Sequence, residues 1–454
     1  EDLLHQYPNP DKRWVRDILA KSLSLRRLEP FETAILLNVD DTDLLAEMYE
    51  TALEVKTRVY GPRIVTFAPL YCANLCENSC LYCGFRKENQ VIQRRSLTLD
   101  EVQEETKSLV SKGHKRLVVV YGEHSKTGAQ YIADTIRVIY DTKVGNGEIR
   151  RVNINAAPQA IKELKIWKDV GVGTLQVFQE TYHHKTYRKM HPRGNKSNYQ
   201  WRLYALHRAQ QAGIDDVAIG ALFGLYAWKF EVMGLMFHTI DLENKFGGIG
   251  PHTISFPRME PAANTPLTVG SNSYKVSDDD FKKLVAVIRL SVPYTGMIIT
   301  ARESAHVRME VIDVGCTQTD ASSRIGIGSY SDRYDEQESQ RQQFILGDTR
   351  ELDEVIRELA SKGYITSFCT AGYRCGRTGD FFMKLAKKGK VRNFCMPNAV
   401  LTFKEYLLDY ASAETKKVGE QLIETHINMI QEDIQPVLKQ KIKETENGKR
   451  DLRF

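Results

Sequence analysis

Cysteine is scarce in this sequence, which has eight cysteines in 454 residues. A chain this long and this poor in cysteine is not a small scaffold held together by disulfide bonds. Long apolar runs are missing as well. The longest, residues 218–237, contains Lys229, Glu231 and three glycines. It therefore predicts a strand followed by a helix, and we expect no membrane partner.

An excess of charge of one sign is also absent. Lys and Arg number 63 against 58 for Asp and Glu, which gives a formal net charge of +5. This small excess gives no reason to expect a nucleic-acid partner. No low-complexity stretch and no signal peptide is visible, and the start at Glu1 without Met suggests a trimmed beginning. Reduced, clustered thiols without an export signal predict a cytoplasmic protein.

The middle of the chain alternates between short β-rich runs and amphipathic helical patterns. The predicted strands are residues 64–68, 116–121, 152–155, 175–178, 217–222, 253–256, 297–300 and 311–314. The clearest helices between them are residues 100–112, 129–140, 198–212 and 277–290. Eight strands separated by helices indicate parallel βαβ units and favour an α/β fold, a (β/α)8 TIM-type barrel. A doubly wound sheet is the alternative, although no G-x-G-x-x-G follows the first strand.

Three regions follow from this pattern. Residues 1–60 form a helical segment, because apolar positions recur at helical spacing in 30–37 and 44–59. Residues 61–330 form the barrel, and residues 331–454 form a mostly helical C-terminal domain. In the last region we expect an exposed connector at 331–341 and a frayed tail at 439–454. Predicted helices lie at 352–361, 380–387 and 403–438.

The predicted strands end in polar or special residues. Glu123 and His124 follow the second strand, Glu180 follows the fourth, and Arg302 follows the seventh. Because the carboxyl ends of all strands of a barrel meet at one face, these residues predict an active site there.

A cysteine group follows the first strand. Cys76, Cys80 and Cys83 have C-x3-C-x2-C spacing, with Cys72 outside the pattern. A cubane iron–sulfur cluster normally takes four thiolates, so three would leave one iron open for a substrate or cofactor. Structural zinc prefers two knuckles, and no second knuckle stands at a usual distance. A zinc-stabilised, non-enzymatic scaffold nevertheless remains the alternative in a different class.

This cysteine motif resembles that of the radical S-adenosylmethionine (SAM) superfamily. Wider motifs are similar to its aromatic-amino-acid lyase branch, which contains the thiazole-pathway tyrosine lyase (2-iminoacetate synthase) and the tyrosine-cleaving maturase of iron-only hydrogenase. They lie at residues 179–182, 187–194, 219–222, 255–258 and 300–303. Residues 367–380, with Cys395 beyond, resemble the C-terminal cluster domain of the maturase, which the thiazole enzyme lacks. The resemblance covers nearly the whole chain.

The resemblance implies a SAM-binding 4Fe-4S cluster on Cys76, Cys80 and Cys83. Tyr82 would lie against the adenine, and Glu123 would accept from the SAM ammonium. The remaining implied SAM contacts are Glu180 to the ribose hydroxyls and Arg202 to the carboxylate. These charge signs suit their partners. Ordinary salt bridges are the competing interpretation of Glu123, Glu180 and Arg202.

The resemblance also implies a reaction. A 5′-deoxyadenosyl radical would take hydrogen from the amino group of L-tyrosine, and Cα–Cβ cleavage would give p-cresol and dehydroglycine. Arg302 would hold the substrate carboxylate as a bidentate fork, helped by Ser322 and Ser323, for which an ordinary turn is the alternative. In the maturase, dehydroglycine then yields CO and cyanide, captured on an iron for which His252 is the candidate ligand.

Several partners are implied too. They are an electron donor such as ferredoxin or flavodoxin and hydrogenase-maturation partners. An exposed cluster would also require anaerobic conditions. A lyase for tryptophan or a related amino acid remains a rival.

The second cysteine group departs from the family. The maturase pattern C-x2-C-x22-C is met by Cys369 and Cys395, but Gly372 stands at the middle position. Cys375 could replace the missing ligand, the site could hold a degraded cluster or none, or Gly372 could be an engineered change. Without the cluster, the enzyme would stop at dehydroglycine. Cys72 is expected to be a spectator at the strand end, and Cys316 is expected to be a buried thiol near the barrel mouth.

Overall fold

Eight parallel strands close into a barrel in the computed structural model, which describes residues 1–331, 337–338 and 340–454. The strands follow each other around the barrel in chain order, and the last pairs with the first, with Val65 opposite Gln318. The first strand is buried at every position, as a parallel strand covered on both faces should be. The predicted (β/α)8 TIM-type fold is confirmed.

The strands of the barrel are short except for the first. They are β1 (Arg63–Ala73), β2 (Arg116–Tyr121), β5 (Arg151–Asn155), β6 (Leu175–Gln176), β7 (Val217–Gly220), β8 (Thr253–Ser255), β9 (Gly296–Ile299) and β10 (Gln318–Asp320). A small antiparallel hairpin, which the sequence did not predict, precedes β5 and comprises β3 (Lys143–Val144) and β4 (Gly147–Glu148).

One helix or more follows each barrel strand. The helices up to β10 are α1 (Asp2–Gln6), α2 (Lys12–Leu23), α3 (Pro30–Leu37), α4 (Thr42–Tyr60), α5 (Leu99–Ser111), α6 (Ala129–Asp141), α7 (Ile161–Asp169), α8 (His184–Met190), α9 (Tyr199–Leu203), α10 (Ala205–Gln211), α11 (Trp228–Lys245), α12 (Asp278–Ser291) and α13 (Ala305–Ile312). Their starts are encoded locally. Thr98 and Glu101 form a capping box at α5, and Pro30 occupies the first turn of α3.

The C-terminal residues add a ninth strand to the sheet. Strand β11 (Ile365–Ser367) pairs with the beginning of β1, with Ile365 opposite Arg63. It is surrounded by α14 (Leu352–Ser361), α15 (Ala371–Arg374), α16 (Gly379–Lys387), α17 (Arg392–Asp409), α18 (Ala413–Asn428) and α19 (Gln435–Glu446). This strand brings the second cysteine group to the amino ends of the barrel strands, here called the lower end. The carboxyl ends form the upper end.

The predicted eighth strand at 311–314 is wrong. Helix α13 begins after its cap Ser304 and continues to Ile312, and the eighth strand is Gln318–Asp320 instead. Cys316 therefore lies just before β10, on the lower side of the barrel, and is fully buried there, not at the mouth.

The expectation of a frayed C-terminal tail is also wrong. Helix α19 extends to Glu446, and Asp451 forms an ion pair with Arg374. The backbone N–H of Phe454 donates to Asn398 over 3.0 Å. Of the predicted connector at 331–341, positions 332–336 and 339 lie outside the described residues, and residues 331, 337, 338 and 340 are exposed. No helix in the described ranges is long and apolar enough to cross a bilayer.

Candidate active site

A cavity of about 220 Å³ lies at the upper end of the barrel. The thiols of Cys76, Cys80 and Cys83 line it together with side chains from the tips of the surrounding strands. Within the described residues, no three His, Cys, Asp or Glu side chains lie close enough to share a single metal ion. The three thiols stand around a common space and interact electrostatically with one another.

The environment of these thiols suits a bound cluster. Burial raises the pKa of Cys80 to about 12, and burial also raises the pKa of Cys83. Free thiols at these positions stay protonated at neutral pH, whereas a coordinated thiol loses its proton to the metal. The Gln343 side-chain amide donates to the Cys83 sulfur over 3.3 Å, a contact that favours a thiolate. The donor set therefore fits an iron–sulfur cluster.

Asn78 anchors the loop that carries the three thiols. Its side-chain N–H donates to Glu123 over 2.7 Å and lies 3.6 Å from the Cys76 sulfur. Its side-chain oxygen accepts from the backbone N–H of Lys196 over 2.9 Å. Sequence reasoning missed Asn78, because its contacts with Glu123 and Lys196 are to distant segments and leave no local signal beyond its place in the loop.

Glu123 reaches the cavity because a glycine precedes it. A Cβ atom on Gly122 would lie 2.2 Å from the backbone oxygen of Leu75, so only glycine lets the end of β2 approach the cysteine loop this closely. The Glu123 carboxylate then lines the cavity beside Cys76. The structure thus brings the predicted SAM-ammonium acceptor into the same cavity as the three predicted cluster ligands.

Glu180 lies in the same cavity with two cations around it. Its carboxylate is 2.6 Å from the Lys196 ammonium and 3.3 Å from the Arg202 guanidinium. Burial opposes ionisation of Glu180, but Lys196 and Arg202 outweigh it and hold the pKa of this carboxyl below its usual value. Arg202 also donates to the backbone oxygen of Phe178 over 2.6 Å. Both predicted residues are present, and Lys196 is an addition.

Tyr82 lines the cavity between Cys80 and Cys83 in the chain. Its hydroxyl forms a hydrogen bond of 2.8 Å with a ring nitrogen of His191, and the Lys196 ammonium lies 5.7 Å from its ring centre. This arrangement fixes the ring at the wall of the cavity.

Arg302, predicted to hold the substrate carboxylate, lies in the upper cavity. It lines the cavity, and its guanidinium lies 3.3 Å from the centre of the Phe344 ring. Glu260 lines the same cavity and interacts electrostatically with Arg302. Burial and then the charge of Glu303 raise the pKa of Glu260 to about 7. Among the described residues, neither Arg302 nor Glu260 forms an ion pair. Glu260 was not identified from the sequence.

Ser322 and Ser323 are engaged elsewhere. The Ser322 hydroxyl donates to Glu351 and accepts from the backbone N–H of Leu352, both over 2.8 Å, at the start of α14. The Ser323 hydroxyl donates to Asp320 over 2.6 Å. Neither serine lines the upper cavity, because β10 turns away just after Asp320. The structure does not bring this pair to Arg302, and it favours the turn interpretation.

The second cysteine group meets at the lower end. Cys369, Cys395 and His252 line a cavity of about 40 Å³, with Gly372 in its wall. Cys375 does not line it. It is exposed after the short helix α15, and its thiol points to the backbone oxygen of Phe454 at 3.9 Å. Two of the three predicted thiols are therefore brought together with the predicted histidine.

Three buried arginines surround Cys369. Arg63, Arg116 and Arg151 are the first residues of β1, β2 and β5. Burial opposes ionisation of Cys369, but Arg63, Arg151 and Arg116 outweigh it and lower the pKa of the thiol. The arginine that begins each of three neighbouring barrel strands was a signal available in the sequence.

The charges of this lower group are only partly balanced by the protein. Asp216 is 3.1 Å from the Arg151 guanidinium and 3.4 Å from the His252 ring. Among the described residues, two side-chain N–H groups each of Arg63 and Arg116 have no hydrogen-bond acceptor. The lower cavity is therefore built to receive negative charge.

Backbone strain marks both ends of the barrel. Glu180 has φ of 70° and Cys369 has φ of 48°, values that side chains other than glycine rarely adopt. Such conformations concentrate at functional sites.

Two family models match the chain. The radical SAM superfamily matches residues 70–228, and the Biotin and Thiamin Synthesis associated domain matches residues 255–365. Among known proteins, 2-iminoacetate synthase of Escherichia coli (strain K12) is 28% identical over 76% of this chain and 87% of its own length.

Two solved structures cover almost the whole chain. HydG from Carboxydothermus hydrogenoformans, a maturase of FeFe-hydrogenase, is 38% identical with a TM-score of 0.83, over 97% of this chain and 96% of that one. Another HydG, described as a maturase of the [FeFe]-hydrogenase, is 47% identical with a TM-score of 0.95, over 100% of this chain and 98% of that one. The chain therefore belongs to the radical SAM superfamily and, within it, to the HydG family of [FeFe]-hydrogenase maturases.

Proposed function

We propose that this protein is a radical SAM lyase that cleaves the Cα–Cβ bond of L-tyrosine to p-cresol and dehydroglycine. The observation that carries the proposal is the pairing, in one cavity, of three thiols with the opposite charges of Arg302 and Glu260. Membership of the HydG family and similarity to 2-iminoacetate synthase support the same chemistry.

The residues of the cavity divide into two sets. A 4Fe-4S cluster on Cys76, Cys80 and Cys83 would supply, with SAM, the 5′-deoxyadenosyl radical that starts the reaction. The chain's own carboxylates would bind the cosubstrate. Glu123 would accept from its ammonium, and Glu180 would accept from its ribose hydroxyls. Tyr82 offers a ring face to the adenine, and Arg202 would pair with the carboxylate of SAM.

The second set suits an amino acid. A free α-amino acid carries a carboxylate and an ammonium on the same carbon. Arg302 offers two parallel N–H groups to the first, and Glu260 offers an ionisable carboxyl to the second. The remaining wall near them is apolar and aromatic, with Tyr71 and Phe344 among its members. Such a wall suits the ring of tyrosine, and it separates the reacting atoms from water.

The fate of dehydroglycine is decided at the lower end. Formation of CO and cyanide for assembly of the iron-only hydrogenase site is supported by family membership and by Cys369, Cys395 and His252 around one cavity. A second candidate, in which the enzyme stops at dehydroglycine, is favoured by Gly372, because only two thiols line that cavity.

The test starts with protein reconstituted anaerobically with iron and sulfide. With SAM, dithionite and tyrosine it should form p-cresol and 5′-deoxyadenosine. Arg302→Lys should raise the KM for tyrosine by about tenfold or more, because one ammonium replaces a bidentate fork. Cleavage of SAM without substrate should continue in that variant.

Product analysis separates the candidates. Trapping of CO by deoxy-haemoglobin supports the formation of CO and cyanide. Normal p-cresol formation without CO supports an enzyme that stops at dehydroglycine. Indole products from tryptophan, with no p-cresol from tyrosine, would refute the tyrosine assignment.

A further inference from the structure

The chain segment that includes helix α8 contains basic residues but no acidic residues. Between Glu180 and Asp215 the chain has no acidic residue at any of the intervening positions. The basic residues of this stretch are Lys185, Arg188, Lys189, Arg193, Lys196, Arg202 and Arg208. Lys196 and Arg202 face inward to Glu180. Arg208 donates to the backbone oxygens of Gln159 and Trp201. Lys185, Arg188, Lys189 and Arg193 remain.

Four of these cations form one exposed surface, which we name the α8 basic surface: Lys185, Arg188, Lys189 and Arg193. Positions 185, 188 and 189 share a helix face because residues three and four apart are neighbours on a helix. The opposite face, with Tyr187 and Met190, is buried. Within the described part of the chain, none of the four cations forms an ion pair.

This surface is fixed directly to the cysteine loop. The backbone N–H of Leu81 donates to the backbone oxygen of Met190 over 3.0 Å, and the backbone N–H of Ser79 donates to the backbone oxygen of Arg193 over 3.1 Å. Ser79 and Leu81 flank Cys80 in the chain. A Cβ atom on Gly194 would lie 2.3 Å from the side-chain oxygen of Asn78, so the two segments touch without room for a side chain.

Acidic groups on the adjoining loops already have partners. Glu88 is 3.0 Å from the Arg86 guanidinium and accepts from the Ser79 hydroxyl. Glu77 lies 3.8 Å from the His124 ring. Arg193 also interacts electrostatically with Glu88. Lys185, Arg188 and Lys189 therefore carry the outward positive charge of this surface, with no ion pair among the described residues.

We propose that the α8 basic surface is the docking site for an acidic one-electron carrier protein, a proposal that rests on the proposed function. The carrier would lose one electron to a 4Fe-4S cluster held by the cysteine loop beneath, and SAM cleavage would then consume that electron. Charge complementarity brings such a partner in rapidly and orients it. Contact at α8 places it against the segment that holds Cys80.

An anionic membrane is the other class of partner that cations could bind. Helices that lie on membranes also need an exposed apolar face. Helix α8 lacks one, because Tyr187 and Met190 pack inward. The observations therefore favour an acidic protein.

The experiment uses a triple variant, Lys185→Glu with Arg188→Glu and Lys189→Glu. Its control is Lys416→Glu with Lys417→Glu, two exposed cations on α18, which packs against α14 and α17. Formation of p-cresol is measured with dithionite and, separately, with reduced flavodoxin as the electron source. We expect the flavodoxin-driven rate of the triple variant to fall about tenfold or more at low salt. Its dithionite-driven rate and both rates of the control variant should match the unmodified protein.

A binding measurement gives a readout that does not depend on activity. Oxidised flavodoxin is titrated into metal-free and into reconstituted protein at increasing salt. The affinity should fall with salt in the unmodified protein and be low at all salt concentrations in the triple variant. A flavodoxin affinity of the triple variant equal to that of the unmodified protein would overturn the proposal. Binding to phosphatidylglycerol vesicles is measured in parallel. A triple variant that loses vesicle binding but keeps its flavodoxin affinity would also overturn the proposal. If no variant forms p-cresol with dithionite, the lyase proposal fails, while the titration still decides the docking site.

Discussion

Asn78 donates a hydrogen bond to Glu123 over 2.7 Å and so joins the cysteine loop to the tip of the second barrel strand. The same side chain accepts from the backbone of Lys196 and lies beside the Cys76 sulfur. A single amide therefore holds three parts of the upper cavity together. The position of Asn78 couples the geometry of the cysteine loop to that of Glu123, the proposed SAM-ammonium acceptor.

Asn78→Ala should weaken SAM binding about tenfold in reconstituted protein. The variant removes a hydrogen bond to a charged group, which contributes about 1.5–3 kcal/mol, and lets Glu123 leave its position. Equilibrium dialysis with SAM measures the effect. Gln90→Ala, at an exposed site of the same loop, is the control and should bind normally. An unchanged affinity in Asn78→Ala would show that Glu123 is held by other contacts.

The sequence predicted the barrel because its strands are short apolar runs between helices. It failed at 311–314, where Val311 and Ile312 are buried on the inner face of α13. Three apolar residues within four positions cannot distinguish a strand from a buried turn of helix. The true eighth strand, Gln318–Asp320, is polar and fully buried. Its hydrogen bonds are tertiary, so no local pattern revealed it.

The candidate site was likewise predictable only where its signal is local in the sequence. Cys76, Cys80 and Cys83 could be found because their spacing is local. Gln343 and Glu260 could not, because each reaches the cavity from a segment far along the chain. Their roles depend on which segments the closed barrel brings together.

Ser322→Ala should lower stability and leave tyrosine binding intact. The serine hydroxyl satisfies Leu352 and Glu351 at the start of α14, and its loss should cost about 1–2 kcal/mol. Thermal unfolding followed by circular dichroism measures the cost, and KM for tyrosine measures binding. Ser361→Ala, at the exposed end of the same helix, should change neither. A KM raised tenfold at unchanged stability would return Ser322 to the substrate site.

Glu260 should give tyrosine binding a pH dependence near neutrality. With its pKa raised to about 7, the carboxyl is mostly protonated at pH 6 and ionised at pH 8. Only the ionised form attracts the substrate ammonium, so KM for tyrosine should fall as pH rises through 7. Glu260→Gln should show a higher KM at pH 8 and almost no change between pH 6 and 8. A wild-type KM that rises over this range would contradict the assignment.

Gly372 lies in the wall of the lower cavity, where the HydG pattern has a cysteine. A Cβ atom at this position would come no closer than 3.9 Å to any other residue beyond its neighbours, the nearest atoms belonging to Arg377. A side chain therefore fits without displacing the backbone. The arginines around Cys369 already favour thiolate charge there.

Gly372→Cys should add a third thiol and thereby a second cluster. In a Cys76→Ala background, which weakens the upper cluster, we expect up to about four more iron atoms per chain than with Gly372 present. Iron and sulfide analysis measures this gain, and faster CO release in the otherwise unmodified chain should accompany it. Adding Cys375→Ser should preserve the gain, because Cys375 is exposed outside the cavity, whereas adding Cys369→Ala should abolish it. Loss of the gain with Cys375→Ser would instead show that Cys375 moves inward to serve as a ligand.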